Sequence, residues 1–276
     1  IFLFFLLREV KVNPLLCVLG AMGIMALSPQ IFRITGHYAL SYSFVIPLTI
    51  YLLLVFERGP KRFRTGVLLA LCILFFFTIH AYLGMVAATT LLLYLLVNTI
   101  SKLIFEKKIS IKKQSLLFIS AILPIVVYYL FVKITDTHTG RTTNPWGISE
   151  YHAELGSVFL PVAPPFNFIK KILFPKALQP WEGWSYIGLI TTIVLVLFVV
   201  FSIVYSIKNK SLSLNKKWVD SSVLRQLFIV SLFILIFSLY VPFRWHGFER
   251  LINYFDFIKQ FRSIGRFAWV FYYLSK

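Results

Sequence analysis

Residues 66 to 105 decide the fold: GVLLALCILFFFTI (66–79), then HAYLG (80–84), then MVAATTLLLYLLVNTISKLIF (85–105). Two apolar runs, each near the length needed to cross a bilayer, are interrupted only by a few residues around His80. A spanning helix needs roughly 20 mostly apolar residues. The stretch therefore reads as two membrane helices joined by a tight turn, although the lack of a central charge also allows one mis-split run.

Further runs repeat the pattern. Residues 12–28, 38–56, 66–79, 84–105, 114–132, 186–207 and 226–243 are candidate spans. Ile1 to Leu7 reads as the tail of an earlier helix, and Phe267 to Ser275 as the start of a later one, so a piece of a longer protein is expected. Hydrophobic residues make up 59% of the 276-residue chain and charged residues 14%, with a mean hydropathy of +0.82. A soluble domain of that composition would expose too much apolar surface. The expected fold is all-α: a polytopic transmembrane bundle of about seven full spans and two partial ones, forming a single domain over 1–276.

The formal net charge is +18, and its location argues against nucleic acid. Lysine and arginine crowd three short loops, Glu57–Arg64, Glu106–Lys113 and Lys208–Arg225. Such loops stay in the cytoplasm on insertion, where they also meet anionic lipid. An even number of candidate spans separates each successive pair, so one topology satisfies all three. Four regions then face outward: Ser28–Tyr38, the turn at His80–Gly84, a long loop over 133–185, and Arg244–Arg266. All five histidines, His37, His80, His138, His152 and His246, fall in or beside them.

The long loop holds six of the twelve prolines and should fold on itself around short helices. Within it, FNFIKKILFPKAL (166–178) interleaves lysine with bulky apolar residues, as a segment lying in the interface does. From Phe248 to Phe261 apolar and polar residues recur at helical spacing, which predicts an amphipathic interfacial helix over about 248–261; a helix capping the bundle fits the same spacing. Cys17 and Cys72 both lie in candidate spans and read as packing residues.

Several outward residues suit chemistry. Arg33 and His37 are four apart at the mouth of a span, where an ionisable group marks a function or merely snorkels. His80, held at a hairpin tip, suits phosphate binding, acid–base work, metal ligation or a local hydrogen bond. Glu182 sits between Trp181 and Trp184 in WEGW; desolvation there raises a carboxyl pKa, which suits a general base or metal ligand, while a helix-entry carboxylate is the plainer role. Arg262 and Arg266, four apart around Gly265, join Lys259 in a basic cluster suited to a phosphate, or to headgroup contact. HExxH, CxxC, EF-hand, P-loop and GxSxG motifs are all missing from the sequence.

Four strings, SPQIFRITGHYALSYSFVIPL (28–48), TIHAYLGMV (78–86), EGWSYIGL (182–189) and FRSIGRFAW (261–269), resemble in this order bacterial membrane proteins of the GT-C glycosyltransferase-like superfamily, in a poorly characterised branch. The resemblance covers most of the chain. It implies a multi-pass protein of the bacterial cytoplasmic membrane with an active site on the extracytoplasmic face. The donor it implies is a polyprenyl-phosphate-linked sugar, and the acceptor a glycan, lipid or protein. It also implies a main catalytic Asp or Glu in a first outward loop, expected upstream of Ile1, and leaves a divalent cation open. On that reading Arg33, Arg262, Arg266 and Lys259 bind substrate, and His37, His80 and Glu182 assist catalysis or hold a metal. Two alternatives remain: a metal-independent polysaccharide polymerase or ligase, and a non-enzymatic transporter of lipid-linked glycans. Span interiors almost free of ionisable groups weigh against the transporter.

Overall fold

The structure is a computed structural model and describes residues 1–276 apart from 106–108, 139, 141, 143–144, 162–163, 174–180, 210–221 and 255–258. Lys107, Lys108, Lys210, Lys216 and Lys217 of the basic loops, the end of the 166–178 segment, and part of 248–261 therefore lie outside the described residues.

The described residues form helices and turns, with no strand among them. In chain order the helices are α1 (Phe2–Glu9), α2 (Pro14–Ala26), α3 (Val45–Arg58), α4 (Arg62–Ile79), α5 (Ala81–Phe105), α6 (Ile111–Thr135), α7 (Leu155–Phe159), α8 (Asn167–Leu173), α9 (Leu189–Asn209), α10 (Ser222–Ser238) and α11 (Ala268–Leu274). Among the described residues five stretches are long and apolar enough to cross a membrane: Pro14–Arg33, Tyr38–Arg58, Arg62–Ile79, Ala81–Phe105 and Ile111–Thr135. Leu189–Tyr205 and Ser222–Ser238 are apolar but shorter. The architecture is that of an all-helical membrane bundle.

The pair of runs around His80 is two helices, with His80 alone between α4 and α5. The two can fold back tightly because residue 84 is glycine. A Cβ there would sit 2.3 Å from the Phe77 ring. Gly66 does the same between α4 and α6, where a Cβ would meet Leu116 and the Ser120 hydroxyl at 3.1 Å. Phe77 then stacks on Tyr128 of α6 at 4.8 Å. Small residues at helix crossings are how membrane helices gain close packing without a hydrophobic driving force.

At one end of the bundle a polar knot ties α5, α6 and α10. The Asn98 amide donates to Tyr94 Oη at 3.0 Å and to Gln226 Oε1 at 2.9 Å, and accepts from Gln114 Nε2 at 3.0 Å. Two loop cations at that same end pair with carboxylates, Lys113 with Glu57 and Arg58 with Glu9. Beyond the topology and anionic-lipid contact expected from the sequence, these charges bridge helices.

At the core lies α11, with Trp269, Val270, Phe271, Tyr272 and Tyr273 buried. Tyr272 donates to the Ile24 carbonyl at 2.8 Å and Tyr273 to Gln30 Oε1 at 2.9 Å, which fixes α11 against the end of α2. In contrast none of the side chains described along α9 is buried, and large apolar ones such as Ile193, Val194, Leu197 and Phe201 are exposed. The expected helix over 248–261 begins as a 3-10 segment, Glu249–Tyr254.

Candidate functional site

At the end of the bundle opposite the polar knot, three short 3-10 turns converge: Ile31–Arg33, Trp181–Gly183 and Ile264–Phe267. Two glycines let their backbones touch. A Cβ on Gly183 would lie 2.4 Å from the His152 carbonyl oxygen, and one on Gly265 would lie 2.6 Å from Gly183 Cα and 2.9 Å from Ala153 N. The stack is pinned by Gly265 N–H donating to the Tyr151 carbonyl at 3.0 Å and Ala153 N–H to the Ser238 carbonyl at 2.7 Å. This contact brings together two charged side chains 84 residues apart.

Those side chains are Glu182 and Arg266. Arg266 Nε donates to Glu182 Oε2 at 2.7 Å. Arg33 Nη1 lies 3.4 Å from the same oxygen, and His37 Nε2 lies 3.4 Å from Oε1. Arg33, Glu182 and Arg266 are buried, whereas the His37 side chain is 48% exposed and forms the open edge of the group. Aromatic faces hold the cations: Arg33 Cζ stands 4.8 Å from the Trp181 ring and 5.7 Å from Trp269, and Arg266 Cζ stands 4.5 Å from Tyr82. Such faces attract cations through the ring quadrupole. Arg33 Nη2 also donates to the Trp181 carbonyl at 2.5 Å. Its Nε and Nη1 are buried and lack a hydrogen-bond acceptor among the described residues.

His80 completes the group. Its Nδ1 accepts from the Tyr82 backbone N–H at 3.2 Å, so the neutral ring carries its proton on Nε2. Burial pushes its pKa down to about 4, helped by Arg266 and His37 and opposed by Glu182.

Glu182 corrects the sequence reading. Burial does push its pKa up, as the flanking tryptophans suggested. The hydrogen bond and charge of Arg266, with Arg33 and His37, outweigh that and hold it below the usual carboxylate value. A carboxylate so held is an anchor for two guanidiniums and a poor proton acceptor at neutral pH. Arg262 is also placed differently from Arg266. The tight 3-10 turn sends Arg266 inward, while Arg262 is exposed and packs its Cβ beside Gly147. Lys259 is buried, and the ion pairs of Glu182 among the described residues are those with Arg33, His37 and Arg266.

The other histidines stand apart from the group. His138 and His246 are exposed. His152 Nδ1 donates to the Ser149 carbonyl at 2.6 Å, and its Nε2 meets Arg244. Among the described residues no group of three or more His, Cys, Asp or Glu side chains is placed to hold a metal. Sequence reasoning missed Trp181, Trp269 and Tyr82 as the aromatic seats of the cations. It also missed Gly183, for which the one available signal was the WEGW string, a glycine beside the carboxylate.

A family model described as a domain of unknown function, DUF6311, matches residues 1–275. The chain belongs to the DUF6311 family. No curated protein and no solved structure matches it. In this DUF6311 domain, then, the converging turns bring together two arginines, one carboxylate and two histidines, drawn from strings near residues 33, 80, 182 and 266 that lie far apart in the chain.

Proposed function

We propose that this DUF6311 chain is an integral-membrane glycosyltransferase of the GT-C type, and that the Arg33–His37–His80–Glu182–Arg266 group holds the phosphate of a polyprenyl-phosphate-linked sugar. The observation that carries the reading is the charge balance: two buried guanidiniums share one carboxylate. A buried excess of positive charge is costly unless an anion completes it. Arginine suits phosphate because its planar fork gives bidentate hydrogen bonds.

In this reading Glu182 orients Arg33 and Arg266, which stabilise the charge that develops on the departing phosphate. His37, at the open edge, hydrogen-bonds the phosphate, and His80 offers Nε2–H as a neutral donor. The base that activates the acceptor hydroxyl is a further Asp or Glu, as the GT-C resemblance implies. The proposal includes the topology expected from the basic loops: seven spans in a bacterial cytoplasmic membrane, with the phosphate group of residues on the extracytoplasmic face.

The test is binding of polyprenyl phosphate to the full-length protein in nanodiscs, with thermal unfolding followed in parallel. Arg33→Lys keeps the charge and loses the fork. A lost charge-assisted hydrogen bond is worth roughly 1.5–3 kcal/mol, which corresponds to about ten- to a hundredfold in affinity. His37→Gln should weaken binding less, and polyprenol, which lacks the phosphate, should bind weakly to every form. Equal affinity for polyprenol and polyprenyl phosphate, or unchanged affinity in a well-folded Arg33→Lys protein, defeats the reading.

A further inference from the structure

The segment that interleaves lysine with bulky apolar residues folds, over its described part, as α8. Its burial runs opposite to that of a helix in water. Lys170 is buried, with 5% of its surface exposed, while Phe166, Phe168, Ile172 and Leu173 are exposed. At 3.6 residues per turn, Phe168 and Ile172 share a face and Lys170 lies on the other side. In a membrane protein that arrangement sets the phenylalanine and isoleucine in lipid and the lysine against the protein.

Lys170 Nζ is buried without a hydrogen-bond partner among the described residues. The anion it feels is Glu154: burial pushes the Lys170 ammonium below its usual value and Glu154 pulls it back up. Glu154 caps α7. One carboxylate oxygen takes the Ser157 backbone N–H, and Glu154 N–H donates in return to Ser157 Oγ at 3.1 Å. The other oxygen, Oε2, is buried and unpartnered. A buried ammonium and a buried carboxylate oxygen thus feel each other's charge and share no contact. Each is costly to leave unsatisfied. Ser157 Oγ also donates to the Gly183 carbonyl at 3.3 Å, so this site flanks the charged group. It does not join it, because Glu182 pairs with Arg33, His37 and Arg266.

We propose that the space between Lys170 and Glu154 takes the zwitterionic headgroup of phosphatidylethanolamine, its phosphate on the Lys170 ammonium and its own ammonium on Glu154 Oε2. Charge complementarity selects this headgroup. Phosphatidylglycerol satisfies Lys170 and sets a second anion beside Glu154. Phosphatidylcholine matches both charges, but its quaternary ammonium has no N–H to donate, whereas a primary ammonium has three. The surroundings select a lipid over the free headgroup. Leu155, next to Glu154, is exposed like Phe168 and Ile172, so apolar side chains flank both charged residues on the outside. The acyl chains lie along those side chains. The proposal does not depend on the phosphate reading of the Arg33–Arg266 group.

The experiment titrates the delipidated full-length protein in detergent with phosphatidylethanolamine, phosphatidylglycerol or phosphatidylcholine of identical acyl chains. Native mass spectrometry reads lipid affinity, and thermal unfolding is followed in parallel. Lys170→Met and Glu154→Gln should each weaken phosphatidylethanolamine about tenfold, which is about 1.4 kcal/mol. Both leave the Arg33–Arg266 group intact, so lipid bound there is the same in every protein. Glutamine keeps an oxygen for the Ser157 N–H, and α7 stays capped. Lys170→Arg keeps the charge and should keep most of the affinity. Phosphatidylcholine should change far less than phosphatidylethanolamine in each variant, and phosphatidylglycerol should bind no more weakly to Glu154→Gln than to wild type. Phosphatidylethanolamine affinity unchanged in well-folded Lys170→Met and Glu154→Gln proteins means that water fills the space, and overturns the proposal. Loss in Lys170→Met alone, shared by phosphatidylglycerol, makes this an anion site and overturns the zwitterion. Glycerophosphoethanolamine, the headgroup without acyl chains, should compete poorly; competition at the same concentration as the lipid overturns the membrane source.

Discussion

Removing the Glu182 carboxylate should cost far more than removing a surface acid. Glu182→Ala leaves Arg33 and Arg266 buried, close together and without their shared anion. Breaking a buried ion pair from one side typically costs about 3–5 kcal/mol, because an uncompensated charge stays behind. For a chain of this size about 2–4 °C in melting temperature accompanies each kcal/mol, which predicts a fall of roughly 6–20 °C. Glu182→Gln keeps the shape and one acceptor for Arg266 Nε, so it forfeits only the charge, about 1–2 kcal/mol. The pH dependence separates the charge from the packing. The folded pKa of Glu182 lies below its unfolded value. Its contribution is therefore fully present above the unfolded pKa of about 4.3 and fades as pH falls through the lower folded value. The gap between wild type and Glu182→Gln should be constant near neutrality and close in acid. Thermal unfolding of the detergent-purified proteins, read by tryptophan emission, measures this. A Glu182→Ala protein that melts within about 2 °C of wild type would refute the argument, as would a wild-type to Glu182→Gln gap that widens in acid.

Two further outcomes are expected. His80 is held neutral, with a folded pKa near 4 set by burial, Arg266 and His37 against Glu182; the unfolded chain binds a proton below about 6.5 while the folded one does not, so stability should drop between pH 6.5 and 4, and His80→Asn should flatten that part of a melting-temperature profile. In intact cells, after Cys17 and Cys72 are replaced by alanine, a membrane-impermeant thiol reagent should label Thr137→Cys and spare Ser110→Cys until the membrane is opened; the reverse would place the charged group on the cytoplasmic side.

The helices were legible because their physics is local. Run length, apolar content and the single-residue break at His80 are properties of contiguous sequence, and α4 and α5 follow from them within a few residues. Helix ends were less legible: α3 begins at Val45 and not at 38, because Tyr38–Leu40 takes a 3-10 turn first. The site was legible in its members and illegible in its wiring. Arg33, His37, His80, Glu182 and Arg266 could each be named, since an ionisable residue at a membrane mouth stands out against apolar neighbours. The pairing of Glu182 with Arg266 spans 84 residues and has no sequence spacing to betray it. The reading of Glu182 as a carboxyl with raised pKa failed for that reason. The local signal, two tryptophans, was correct about burial, and the deciding charges came from elsewhere in the chain.

Arg262 shows the same lesson from the other side. Four-residue spacing implies a shared face only where the chain is α-helical. Here a tight turn intervenes, because Gly265 must lie flat against Gly183 and Ala153. That contact leaves no room for a Cβ, fixes the backbone of Arg266, and so aims one arginine at Glu182 while the other faces outward. Gly265 acts in the structure as a point of closure. Glu182 meets Arg266 because two backbones can approach to within the space a single methyl group would occupy. The charged group is thus built by packing first and by electrostatics second. Sequence reasoning from charge spacing named the residues and misjudged which of them meet.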